Sequence, residues 1–127
     1  MNLFYISEEV TQEQGVDDGE LVVLVVGGEL DYQSSPSLSK RIVSHIDQGS
    51  RRFLLDISDV TFIDSTAIGV LVGAVAKLRN LGGGSLAVVC AGENEKVLKI
   101  FDIAGVESLI TLHSSCADAR SVLALTD

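Results

Sequence analysis

Hydrophobic residues along the chain fall into short strand-like runs that alternate with longer helical stripes. Residues 3–10 (LFYISEEV) and 20–28 (ELVVLVVGG) are rich in strand-forming side chains, and GVDDG between them is turn chemistry, so the two predict a hairpin. Residues 21–26 are apolar without alternation, the pattern of a strand covered on both faces. In GELDYQSSP, Ser35 is placed to cap a helix and Pro36 to occupy its first position. That helix should run to about His45 or Asp47 and bury Leu38, Ile42, Val43 and Ile46.

The alternation continues to the end of the chain. RFLLDIS (52–58) predicts a short strand, and residues 65–80 a helix with Ile68, Leu71, Val72 and Val75 on one face. LAVVC (86–90) is the next strand, NEKVLKIFDIAG (94–105) a helix stopped by Gly105, and LITL (109–112) the last strand. Ser115 and Asp118 have capping-box spacing before a final helix that carries Val122 and Leu123. The reading is an α/β fold in one domain, residues 1–127, with an opening hairpin, a mixed and mostly parallel sheet of about five strands, and about four helices.

Composition narrows the function. At 46% hydrophobic and 21% charged, the 127 residues can bury a core without disulfides or metal. No apolar run is long enough for a membrane span, and MNLFYISEEV lacks the basic region of a secretory signal, so a cytoplasmic protein is expected. Nine basic against eighteen acidic residues give a charge of -9, which disfavours nucleic acid and anionic membrane surfaces and favours a protein partner. Cys90 and Cys116 form no CxxC and have no histidine at ligand spacing, so no metal and no cofactor are expected. They read as two small buried hydrophobes in a reducing compartment, or as a redox pair should their Cα atoms lie within bridging range.

Two tempting motifs fail on order. Gly82-Gly83-Gly84 follows a helix and opens a strand, whereas a phosphate loop does the reverse and carries a lysine, so the run is read as a connection. Ser65 sits at a strand-to-helix corner but lacks the GxSxG elbow, and neither His45 nor His113 has a reason to approach it. Hydrolase chemistry is therefore not expected.

The informative stretch is FIDSTAIGVL (62–71), where Asp64, Ser65 and Thr66 stand between apolar runs. One of the three should cap the helix that follows, but a single cap needs a single side chain. The surplus points to exposure for function. A phosphoryl group on a hydroxyl here would lie against the positive end of the helix dipole, so the fold tolerates it. A bound protein with acidic groups would not. The site can therefore switch binding without unfolding the domain.

The segments GELDYQSSP, LLDISDVTFIDSTAIGVL and KVLKIFDIAGV, in this order, resemble the STAS domain of bacterial anti-sigma factor antagonists. The resemblance implies a non-enzymatic partner-switching module. Unphosphorylated, it sequesters an anti-sigma factor that is also a GHKL-type serine kinase and so frees a sigma factor; a PP2C-type phosphatase resets it after phosphorylation. Matched by residue, the acceptor is Ser65, with Thr66 as fallback, Asp64 the acid before it and Gly69 the glycine near the helix start. The turn Gly28, Glu29, Leu30 and Asp31 is implied to complete the partner surface. Ala67 stands where the family usually has glycine; its methyl suits a helix but is expected to add bulk where a kinase approaches. The alternatives are a constitutive STAS scaffold subunit of a signalling or lipid-transport complex, in which Ser65 only caps, and a small-molecule or nucleotide-binding domain.

Overall fold

The computed structural model describes residues 3–12, 20–92, 94–106 and 108–125. Strands β1 (Tyr5–Gln12) and β2 (Glu20–Leu30) pair antiparallel as the expected hairpin, whose GVDDG turn lies outside the described residues. Then follow α1 (Ser35–Asp47), β3 (Arg52–Ile63), α2 (Ser65–Asn80), β4 (Ser85–Val89), α3 (Glu95–Ala104), β5 (Leu112–His113) and α4 (Cys116–Leu125). The sheet order is β1-β2-β3-β4-β5, parallel from β2 onward.

The unbroken apolar run of β2 has the predicted cause. Val22, Leu24 and Val26 face a core built with Phe53, Leu55, α1, α2 and α3, whereas Leu21 and Val23 face Leu54, Ala87, Val89 and α4. Three helices cover one side of the sheet and one covers the other. Leu38, Ile42 and Ile46 of α1 are buried as expected, with Val43 half-buried. Gly105 adopts a left-handed φ of 66 and ends α3.

Three boundaries and one buried face differ from the sequence reading in ways that matter for packing. β3 continues to Ile63, five residues past its expected end, because it pairs with β2 through Leu30 and buries Val60 and Ile63 on the way. β5 shrinks to two residues, since Leu109 and Ile110 close a turn onto Val106 rather than extend alongside β4. The N-cap position of α1 is Ser34, not Ser35, and its hydroxyl bonds the preceding turn rather than the helix amides: Ser34 Oγ accepts from the Asp31 amide at 2.9 Å and donates to the Glu29 carbonyl at 2.7 Å. Val122 is 43% exposed, and Ala119 with Leu123 makes the buried face of α4. Ser115 does accept from the Asp118 amide at 3.1 Å, as a cap should.

Candidate functional site

β2 and β3 run parallel and end side by side, with Glu29 opposite Phe62 and Leu30 opposite Ile63. Each then turns into a helix, so the N-termini of α1 and α2 emerge together at the carboxyl edge of the sheet. In open α/β sheets this edge is where binding surfaces form.

Asp64 ties the two corners together. Its backbone is extended, at φ -115 and ψ 177, and Oδ1 accepts from the Ala67 amide at 2.9 Å, capping α2. Oδ2 accepts from the Tyr32 amide at 2.8 Å, across a separation of 32 residues. The Asp64 amide in turn donates to the Leu30 carbonyl at 3.3 Å. On the other side, Asp31 Oδ1 accepts from the amides of Gln33 and Ser34 at 2.9 and 3.0 Å and holds the turn closed.

Which of the three polar residues caps is thus decided. Asp64 does so alone, and Ser65 follows as the first residue of α2. Ser65 and Thr66 are both exposed, and neither hydroxyl has a hydrogen bond among the described residues. The surplus hydroxyls therefore face solvent at the positive end of a sixteen-residue helix.

The other site residues divide by depth. Gly69 is exposed; Glu29, Asp31 and Asp64 are half-buried at the rim; Gly28, Leu30 and Ala67 lie inside. Gly28 has φ +83, and a Cβ there would sit 2.5 Å from the Leu3 backbone, so the residue belongs to the packing of the chain start. Ala67 is fully buried, which corrects the expectation that its methyl adds bulk on the approach side: it points into the core. Two aromatic side chains escaped the sequence reading. Tyr32, 65% exposed, and Phe62, 50% exposed, flank Asp64 along the chain and through its bond to the Tyr32 amide. A tyrosine within a polar turn was the available signal for the first; Phe62 read simply as apolar strand.

Neither histidine joins the site. His45 pairs with Glu8 at 2.9 Å and packs edge-on against Phe53, while His113 lies in β5. Both cysteines are free thiols, but they differ: Cys90 is buried in the core shared with α2 and α3, whereas Cys116 is exposed at the start of α4, 3.8 Å from Asp56 Oδ2. Desolvation, and then the Asp56 charge, raise the pKa of each thiol. Among the described residues no cluster of three His, Cys, Asp or Glu is placed to hold a metal, and no helix is long and apolar enough to cross a membrane.

The arrangement is a pair of exposed hydroxyls at a helix start, on the carboxyl edge of a mixed five-stranded sheet. The chain belongs to the STAS domain family, whose model matches residues 9–119. It is 30% identical to the anti-sigma-B factor antagonist of Bacillus subtilis strain 168 over 87 residues, 68% of this chain and 76% of that protein. An anti-sigma factor antagonist from Mycobacterium paratuberculosis shares the fold with a TM-score of 0.75 at 22% identity, covering 94% of each chain. The anti-sigma factor antagonist SpoIIAA in its unphosphorylated form does so with a TM-score of 0.73 at 18% identity, over 97% of this chain and all (100%) of the other.

Proposed function

We propose that this chain is an anti-sigma factor antagonist, one STAS domain over residues 1–127, whose grip on an anti-sigma factor is released by a phosphoryl group on Ser65. The observation that carries the reading is that Asp64 does the capping, which leaves the Ser65 hydroxyl exposed and without a hydrogen bond. In the unphosphorylated state Ser65, Thr66 and Gly69, with Glu29, Asp31 and Asp64 at the rim, form the surface that sequesters the anti-sigma factor and frees its sigma factor. Gly28, Leu30 and Ala67 support that surface from beneath.

The partner is a GHKL-type serine kinase in the bacterial cytoplasm. It transfers the γ-phosphoryl group of ATP to Ser65 Oγ; the hydroxyl proton passes to the kinase's base, and ADP leaves. The catalytic groups belong to the kinase, and this chain supplies only the acceptor. The new charge of about -1.5 to -2 is accepted locally by the amides of the α2 N-terminus. Beside Asp64, Asp31 and Glu29 it makes the rim strongly anionic, and a bound protein with acidic groups is repelled. A PP2C-type phosphatase restores the hydroxyl.

Intact-mass measurement after incubation with ATP and each GHKL kinase of the same genome tests the reading. One kinase should add a single phosphate to the wild type and none to Ser65→Ala; a phosphate retained by Ser65→Ala moves the acceptor to Thr66. Ser65→Ala should still bind that kinase in a pull-down and Ser65→Asp should not. Equal binding by the two variants rejects the charge switch.

A further inference from the structure

A groove of about 380 Å³ opens between α1 and α2, with apolar walls from Ile42 and Val43 on one helix and Val70 and Ala74 on the other. Gly69 and Gly73, one helical turn apart on α2, also line it. Both are exposed, and a Cβ built on either meets no atom within 4 Å. Glycine is among the least favourable residues inside a helix, and nothing in the fold requires it at these two positions. Their effect is to lower the groove floor so that another backbone can come close. Interaxial distance between packed helices is set by the side chains at the crossing, and glycine makes it short.

The charge around the groove has a sign opposite to that of the protein. The chain carries -9, yet α2 contains no acidic residue, and Lys77 closes the groove at its far end. Lys40 of α1 is exposed beside it and lines the adjoining hollow with Val43 and Asp47. Asp47 is the single acid on α1 and stands 3.9 Å from Lys77, so this end of the groove carries two lysines against one acid. At the near end Thr66 leads directly to Ser65 and the positive end of the α2 dipole.

Resting on the proposed function, we infer that the groove between α1 and α2 receives an amphipathic helix of the anti-sigma factor, its apolar face over Gly69 and Gly73 and acidic residues along its flank. The groove runs into the Ser65 corner, so one partner covers both. An acidic flank also explains which groups a phosphoryl on Ser65 repels.

The test is affinity of the kinase that phosphorylates this protein for the full chain and its variants, read beside their melting temperatures. Gly73→Ala should raise the melting temperature and yet weaken binding about threefold; a residue that mattered only for stability would move both the same way. Gly73→Leu should weaken binding at least tenfold, and Lys77→Glu likewise, with both proteins folded. Binding of Gly73→Leu within twofold of wild type, or tighter binding by Lys77→Glu, overturns the inference and leaves the Ser65 switch standing. If no kinase binds the wild type, the proposed function falls and the groove with it. If Ser65→Asp binds as well as wild type while Gly73→Leu does not, the switch alone is wrong.

Discussion

Asp64 serves α2 and the turn after β2 with one carboxylate, so removing it and removing its neighbour should leave different signatures. Asp64→Ala takes away the cap on the Ala67 amide and the acceptor for the Tyr32 amide. Lost caps cost about 0.5–2 kcal/mol, and the second lost bond about 1 kcal/mol more. Ser65→Ala takes away a hydroxyl that is exposed and bonds to nothing among the described residues, and surface changes of that kind stay within about 0.5 kcal/mol. Denaturant titration of the two variants should therefore separate them by about 1–3 kcal/mol, with Asp64→Ala the weaker. If Ser65→Ala is the weaker, Ser65 is the cap and the exposed-acceptor argument fails. The adjacent serines at the start of α1 form a parallel case. Ser34 Oγ is bonded on both sides, whereas Ser35 Oγ is fully buried and has no partner among the described residues. Ser34→Ala, which loses both bonds, should cost about 1–2 kcal/mol, while Ser35→Ala, which removes an unsatisfied buried hydroxyl, should be neutral or stabilising in the same titration.

How the helices and strands were legible follows from what sets each one. α2 was read to the residue because an acid at the cap, a long apolar stripe and a glycine run at the exit all coincide at its ends. α1 began one residue ahead of Pro36, its expected first position, and the cap position moved with it: two serines in succession meet the same local rule, and only the fold of the Asp31 turn selects Ser34. β3 was read only to Ser58; pairing with the end of β2, a contact between distant residues, carries it on to Ile63. β5 was overestimated for the converse reason, since LITL has strand-forming residues but pairs with β4 only at Leu112 and His113. The exposure of Ser65 was legible because three polar side chains between apolar runs exceed what a helix start needs. The bond from Tyr32 to Asp64 and the exposed rings of Tyr32 and Phe62 were not found, because a spacing of 32 residues leaves no periodic trace.

β1 is the edge of the sheet, and its attachment to the body of the molecule goes beyond its ladder with β2. Glu8 reaches α1, where Oε1 accepts from Arg41 and Oε2 lies 2.9 Å from His45 Nε2. The His45 hydrogen bond, opposed in part by desolvation and aided by Arg41, holds the Glu8 carboxyl below its usual value of 4.5. A depressed carboxylate stabilises the fold fully above its unfolded value and loses that contribution as pH falls through the lower folded value. The clasp should therefore act at pH 7 and fade on the acid side of 4.5. Its side chains are 32% and 45% exposed at Glu8 and Arg41, so water screens the pair and its worth is about 0.2–1 kcal/mol. Glu8→Gln should lower stability by that amount at neutral pH and leave it unchanged at pH 2, so the two proteins' unfolding curves converge as acid is added. Because Glu8, Arg41 and His45 line neither the α1–α2 groove nor the Ser65 corner, kinase binding at pH 7 should be the same for both. Curves that stay parallel to the lowest pH would show that Glu8 acts through packing, not through its charge.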